Sequence, residues 1–302
     1  MSRTPFDLRP VSGALGAEIR DVDLAQLDAA GFARVRQALH EHGVLFFRDQ
    51  KLEPRDQVAL ARRFGTPDVH PIVEGMEGVP ELVRVLKPAG ESACFGTGWH
   101  SDNSFFERPT SLTLLYGVTI PPYGGDTLFA SMEKAYLALS APMRALLDPL
   151  RAVHSASRAY DPALTGWEKY RGEAPLHYRY SDAVNAEVEH PVVRVHPDTG
   201  RRSLYVNAMF TQRIIGLEPR ESEVLLGFLY AHVSRPDLSC RFRWKPGSLA
   251  IWDNRSLQHY AMDDYQRFER VMHRVTVQGE RPLALSDASP VEPRGPGRRP
   301  HP

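Results

Sequence analysis

Between Ala29 and His42 the apolar residues Phe32, Val35 and Leu39 recur at helical spacing, which predicts a helix. Gly43 then ends the run, as a glycine commonly does beyond a helical C-terminus. Val44–Phe47 is continuously apolar and has the length of a buried strand. Pro54 to Phe64 predicts a second helix, closed by Gly65. Upstream, residues 6–23 read as short strands broken by glycine turns. Two helices beside one early strand suggest an α/β flank rather than a separate domain.

The middle of the chain alternates strand-like pieces with turns. Ser111 to Val118 and Thr127 to Phe129 read as strands around the turn Pro121–Gly125, and Lys134 to Leu147 as one helix. Residues 155–190 are polar and aromatic with no sustained period, which points to a lid or binding loop. Strands resume at Pro191–Val195 and Ser203–Val206, and Pro219–His232 predicts a helix. Cys240–Trp244, Ser248–Trp252 and Val271–Gln278 read as the last strands. Short, evenly spaced strands with flanking helices predict a mainly β fold with a double-stranded β-helix (jelly-roll, cupin-like) core. Residues 1–285 would form that single domain. Residues 286–302, rich in proline and arginine, would be a disordered tail.

Composition narrows the function classes. The 302 residues carry 37 Lys+Arg against 37 Asp+Glu, a balance without the basic surplus that nucleic-acid or membrane binding favours. No apolar run approaches the roughly 20 residues of a membrane span, and the start lacks a secretory signal's apolar core. Cys94 and Cys240 are too few for a disulfide framework. A soluble cytoplasmic protein is the expectation.

Candidate chemistry begins at His100-Ser101-Asp102. On a strand, positions i and i+2 share a face, so an imidazole and a carboxylate can meet one ion. Gln258-His259-Tyr260, just after the strand ending at Trp252, offers the best third ligand. Two histidines and one carboxylate leave open positions, which suits an Fe(II) that must bind a cosubstrate and O₂. Spacing alone is weak support, because a second His-x-Asp exists at His196-Pro197-Asp198. That one is followed by Thr199-Gly200 and reads as a β-turn unable to hold both side chains on one face.

The runs GWHSDNSFFERP (98–109), GGDTLF (124–129), LAIWDNRSLQHY (249–260) and RVMHRVTVQGE (270–280) together resemble the taurine dioxygenase family. That family also includes 2,4-dichlorophenoxyacetate, aryloxypropionate and alkylsulfate dioxygenases. The resemblance runs from GALGAEI (13–19) to about Pro282, with the motifs in the family's order. It implies Fe(II) held by His100, Asp102 and His259, with 2-oxoglutarate and O₂ as cosubstrates and succinate and CO₂ as coproducts. Arg270 and Thr127 match the residues that meet the distal carboxylate of 2-oxoglutarate. Arg274 and His70 resemble those at the anionic head of the prime substrate. The prime substrate is then a small organic anion: a sulfonate, a sulfate ester or an aryloxyalkanoate-like carboxylate. Family members commonly form dimers or tetramers, so a homo-oligomer is expected.

The chain departs from the taurine pattern at Val73 and Gly96, where taurine enzymes carry a tyrosine and an asparagine. Both changes remove polar contacts and predict a larger, more apolar pocket. Phe210, Tyr160 and Phe105 are candidate aromatic walls, and Ala152–Arg158 leans towards the aryloxyalkanoate enzymes. Competing readings are a taurine dioxygenase proper, a metal-dependent cupin hydrolase or isomerase that needs no Arg270–Thr127 pair, and a jelly-roll binding protein without catalysis.

Overall fold

The computed structural model describes residues 7–70, 73–90, 96–160 and 185–287. Its first strands are β1 (Asp7–Pro10), β2 (Ala17–Arg20) and β3 (Val44–Phe47), with helix α1 (Ala29–His42) between the last two. Asp28 caps α1 by accepting from the Gly31 amide, and Gly43 closes it by donating to the Leu39 carbonyl. Helix α2 (Pro54–Phe64) opens on a Glu53–Asp56 capping box with Pro54 at its first position. Then follow β4 (Leu82–Lys87), β5 (Thr110–Thr119) and β6 (Thr127–Ser131), helices α3 (Met132–Ala138) and α4 (Ala141–Leu147), β7 (Arg151–His154), and the short helix α5 (Ser157–Tyr160). Beyond residue 184 come β8 (Val188–Pro191), β9 (Val193–Val195), β10 (Arg202–Leu204), β11 (Thr211–Ile214) and helix α6 (Pro219–Val233). The last strands are β12 (Ser239–Phe242), β13 (Leu249–Asp253), β14 (Leu257–Ala261) and β15 (Arg270–Gln278).

Seven strands form the main sheet in the order β1-β2-β3-β13-β5-β15-β4, antiparallel except for the β2–β3 pair. A second sheet, β12-β6-β14, lies against it. The all-apolar β3 shows why. Leu45 and Phe47 pack with α1 and α2, whereas Val44 and Phe46 pack with Phe129, Phe242 and Trp244 of the second sheet's side. A strand covered on both faces has no polar alternate positions. A third core joins α3, α4 and α6 to β7, β9, β10 and β11.

The mainly β fold agrees with the expectation, and several boundaries differ. The helix expected over 134–147 is two helices, because Ser140 caps a new start with Pro142 in its first turn. β4, β7, β11 and β14 were not expected, nor was β8, most of which falls in the stretch read as a lid. His196–Asp198 is a turn between the hairpin strands β9 and β10, as anticipated. The lid expected at 155–190 falls largely on 161–184, outside the described residues, as do residues 288–302 of the tail and Cys94. Cys240 is a buried free thiol. Among the described residues no helix is long and apolar enough to cross a membrane.

Candidate active site

His100 and His259 face each other across an isolated antiparallel bridge, joined by two backbone hydrogen bonds of 3.1 and 2.9 Å. Residues directly opposite in such a pair point to the same side, so the imidazoles stand with ring centroids 4.2 Å apart. Asp102 does not sit on a strand, contrary to the i, i+2 expectation. The chain turns after His100, with Asn103 in the left-handed region at φ 55°. The carboxylate is placed instead by β5 and by the turn after β13. Thr113 donates to Oδ2 at 2.7 Å, and Asn254 Oδ1 accepts from the Asp102 amide at 3.0 Å. Asn254 also donates to Thr113 and accepts from Trp252 Nε1, which closes a buried network.

With Oδ2 engaged, Oδ1 faces the histidines, 3.7 Å from His100 Nε2 and 4.0 Å from His259 Nε2. Donors on an ion with bonds of about 2.1 Å at right angles lie about 3 Å apart, so a cation would draw this set slightly inward. The protonation states suit it. His100 Nδ1 donates to the Gly98 carbonyl at 2.7 Å, which leaves Nε2 as the lone-pair nitrogen. Burial holds the His100 imidazole below its ordinary pKa, and burial and His100 push His259 down to about 3. Burial alone would raise Asp102, but His259, Arg274, His100 and Thr113 outweigh it and hold the carboxyl at about 2. Two neutral imidazoles and one carboxylate are what a divalent ion requires.

The two imidazoles open into a cavity of about 480 Å³, counting the part open to solvent, between the two sheets. His100, Thr127, His259, Arg270, Arg274 and Gly96 all line it. Arg270, Met272 and Arg274 alternate along β15 onto this face, whereas His273 turns to the other side, beside Gln57 of α2. Trp244 Nε1 donates to Thr127 Oγ1 at 2.9 Å, so the threonine's own proton is available to an acceptor in the cavity. Arg270 is buried, flanked by Trp244 and Tyr265, and its Nε has no hydrogen-bond partner among the described residues. Arg274 lies 3.6 Å from Asp102 Oδ1. Gly124 and Gly125 both have positive φ, and a side chain at Gly124 would come within 2.6 Å of the Asp264 carbonyl. The tight turn before Thr127 therefore needs glycine.

Gly96, on the cavity wall, has φ +81°, and a Cβ there would stand 3.4 Å from the His100 ring. Phe210 stands edge-on to His100 and packs with Phe105, Tyr160 and Ala156 as an apolar wall. Val73 is buried against Val83 rather than among the residues lining the cavity. His70 Nδ1 accepts from the Val73 amide at 3.0 Å, and Nε2 is then the donor to Asn103 Oδ1 at 3.2 Å. Both ring nitrogens are thus engaged within the protein, and burial pushes the imidazole down to about 4.

Thr113, Asn254 and Trp244 were missed by sequence reasoning. Each acts through another residue, and neither Thr113 on β5 nor Trp244 and Asn254 beyond the ends of β12 and β13 carries a local signature of that.

A buried polar layer supports the turn after Asp102. His154 meets Ser104 and Thr211, Asn207 donates to Ser104, and His190 Nε2 donates to the Phe106 carbonyl at 3.0 Å. Burial holds His154 well below its ordinary pKa and lowers His190 to about 4. Both are neutral in the folded protein, whereas unfolded histidine titrates near about 6.5. Below that pH the unfolded chain binds protons that the folded chain refuses, so stability falls as pH drops towards 4. Each such group removes up to about 1.4 kcal/mol per pH unit. In urea titrations, His190→Gln should lose less stability between pH 6.5 and 4.5 than the parent. Equal losses would mean that His190 is already protonated in the folded state.

Comparison with known proteins bears directly on this site. The family model described as "Taurine catabolism dioxygenase TauD, TfdA family" matches residues 7–276. The chain belongs to this family. It is 40% identical to the alpha-ketoglutarate-dependent sulfate ester dioxygenase of Pseudomonas putida over 282 residues, covering 93% of this chain and 92% of that one. It is 37% identical to the alkylsulfatase of Acinetobacter baylyi over 280 residues, covering 91% and 86% of the two chains. The crystal structure of a taurine dioxygenase from Burkholderia xenovorans superposes with a TM-score of 0.78 at 38% identity, covering 94% of each chain. The dioxygenase assignment and the fold read from the motifs therefore stand.

Proposed function

We propose that the chain is an Fe(II)- and 2-oxoglutarate-dependent dioxygenase acting on sulfate esters with an apolar organic group. The observation that carries this reading is the convergence on one cavity of His100, His259, Thr127, Arg270 and Arg274, with Asp102 facing both histidines. His100, Asp102 and His259 would hold the metal. When bound, Fe(II) would supply the redox chemistry by which one O₂ oxidises both partners, one oxygen atom going to succinate as 2-oxoglutarate loses CO₂ and the other to the hydroxyl on the substrate carbon.

The chain's own residues bind, orient and exclude. Arg270 offers a planar fork to the distal carboxylate of 2-oxoglutarate, and Trp244 orients Thr127 to share it. Arg274 meets the sulfate head near the metal ligands. Phe105, Phe210 and Tyr160 form the apolar wall for an organic tail and keep water from it. His70, neutral and engaged on both nitrogens, adds no charge to the head-group site. Once hydroxylated, a carbon bearing a sulfate oxygen breaks that C–O bond, releasing sulfate and leaving a carbonyl. Sulfate esters are preferred over sulfonates and aryloxyalkanoates because the P. putida and A. baylyi relatives are named for sulfate chemistry.

Two measurements test this. In the absence of O₂, adding 2-oxoglutarate to the Fe(II)-loaded protein should give a weak visible charge-transfer band, absent in His100→Ala. In air, alkyl sulfates should release succinate and inorganic sulfate in equal amounts, well ahead of taurine and aryloxyalkanoates. A taurine preference would overturn the substrate assignment, and absence of the band would overturn the cosubstrate.

A further inference from the structure

Lys87 ends β4 on the face it shares with Val83 and Val85, and Val85 lines the cavity. It stands directly across the sheet from Arg270, its register partner on β15. The side chain is only 3% exposed, and Nζ has no hydrogen-bond partner among the described residues. Nζ lies 4.6 Å from the centre of the Tyr265 ring, and the Arg270 guanidinium carbon lies 5.7 Å from the same centre. Two buried basic side chains thus approach one aromatic ring, and of the two Arg270 lines the cavity. Arg274 is four residues along β15, about 13 Å in an extended strand, and shares its charge with Asp102.

Lysines at the edge of a core ordinarily extend the ammonium to solvent. Here the stem turns inward, although an aromatic face recovers only part of the lost hydration of a buried ammonium. Asp263 is the acid whose charge interacts with Lys87, but the two form no ion pair, and burial raises the Asp263 carboxyl. Such an arrangement is completed by an anion arriving beside Arg270.

We propose that Lys87 is a second cation for the distal carboxylate of 2-oxoglutarate, working with Arg270 to select a dicarboxylic cosubstrate. This rests on the cosubstrate reading of the Arg270 site given above. Arg270 supplies directional hydrogen bonds and Lys87 a compact charge. Discrimination against a 2-oxo acid lacking the distal carboxylate then exceeds what Arg270 and Thr127 provide.

The test is calorimetric titration of the Fe(II)-loaded protein without O₂, using 2-oxoglutarate and 2-oxopentanoate, which lacks the distal carboxylate. Lys87→Met should weaken 2-oxoglutarate by about 10- to 100-fold, the scale of a lost charge-assisted contact, and leave 2-oxopentanoate unchanged. Lys87→Arg should restore most of the difference. If the parent protein does not favour 2-oxoglutarate over 2-oxopentanoate, the cosubstrate reading itself fails. If it does, but Lys87→Met weakens both acids equally or neither, Lys87 serves only the packing around Tyr265 and the inference is overturned.

Discussion

Asp102→Ala should abolish Fe(II)-dependent stabilisation and reduce succinate formation to below about a thousandth of the parent rate. The carboxylate is the only anionic member of the ligand set, and Oδ1 is the atom that both imidazoles face. Two neutral histidines without it form a weak, cationic-flanked site, since Arg274 lies 3.6 Å from the same oxygen. A ligand present at about a thousand times its Kd stabilises a fold by about 4 kcal/mol, so the thermal midpoint of the parent should rise clearly with Fe(II). The variant's should not move. Thr113→Val keeps the ligand but frees Oδ2 from its donor, and should weaken the metal by about 10- to 100-fold, the usual effect of an outer partner. An Asp102→Ala variant that still rises in midpoint with Fe(II) would show that the ion binds elsewhere.

That His100, Asp102 and His259 come together was legible in the sequence because the four motifs occur in the family's order, but how the fold brings them together was not. The i, i+2 argument put His100 and Asp102 on one strand. In the fold His100 is a single bridge opposite His259, and Asp102 follows in a turn held by Thr113 and Asn254. Short-range spacing cannot register contacts made 11 and 152 residues away. The same limit hid β4. Its LVRVLK pattern is brief and preceded by a polar, proline-containing stretch, and it becomes a strand only by pairing with β15. Arg270 and Arg274 were readable as sharing a face because alternation is local to one strand. The break between α3 and α4 was missed because apolar spacing continues across it. The decisive signal is the Ser140–Pro142 start. At His70 the motif gave the residue type, but its hydrogen bonds to Val73 and Asn103 had no local signature in the sequence.

Asp253→Ala should destabilise the fold by about 3–5 kcal/mol, the scale of an ion pair broken from one side in a core. Asp253 is 1% exposed at the end of β13. It accepts from Arg255 Nε at 2.8 Å and Nη2 at 2.7 Å, and from the Arg255 amide at 2.9 Å. His196 Nε2 approaches its other face at 3.0 Å. Burial would raise this carboxyl, yet Arg255 and His196 hold it far below the carboxylate range. The carboxylate form is therefore favoured in the folded chain, and its contribution is present above about pH 4 and lost on acidification. The arginine's remaining acids are Asp198 at 3.0 Å and Glu280 at 3.8 Å, both partly exposed and too wet to compensate fully for the lost buried carboxylate. The consequence reaches the proposed metal site, because Asn254, which positions Asp102, sits between the two paired residues. Asp253→Ala should therefore also weaken Fe(II) binding under conditions where the variant remains folded. Adding Arg255→Met to Asp253→Ala should recover part of the lost stability in urea titrations, since no charge is then left unpaired. Strictly additive losses would place the stabilisation in packing around β13 rather than in the pair.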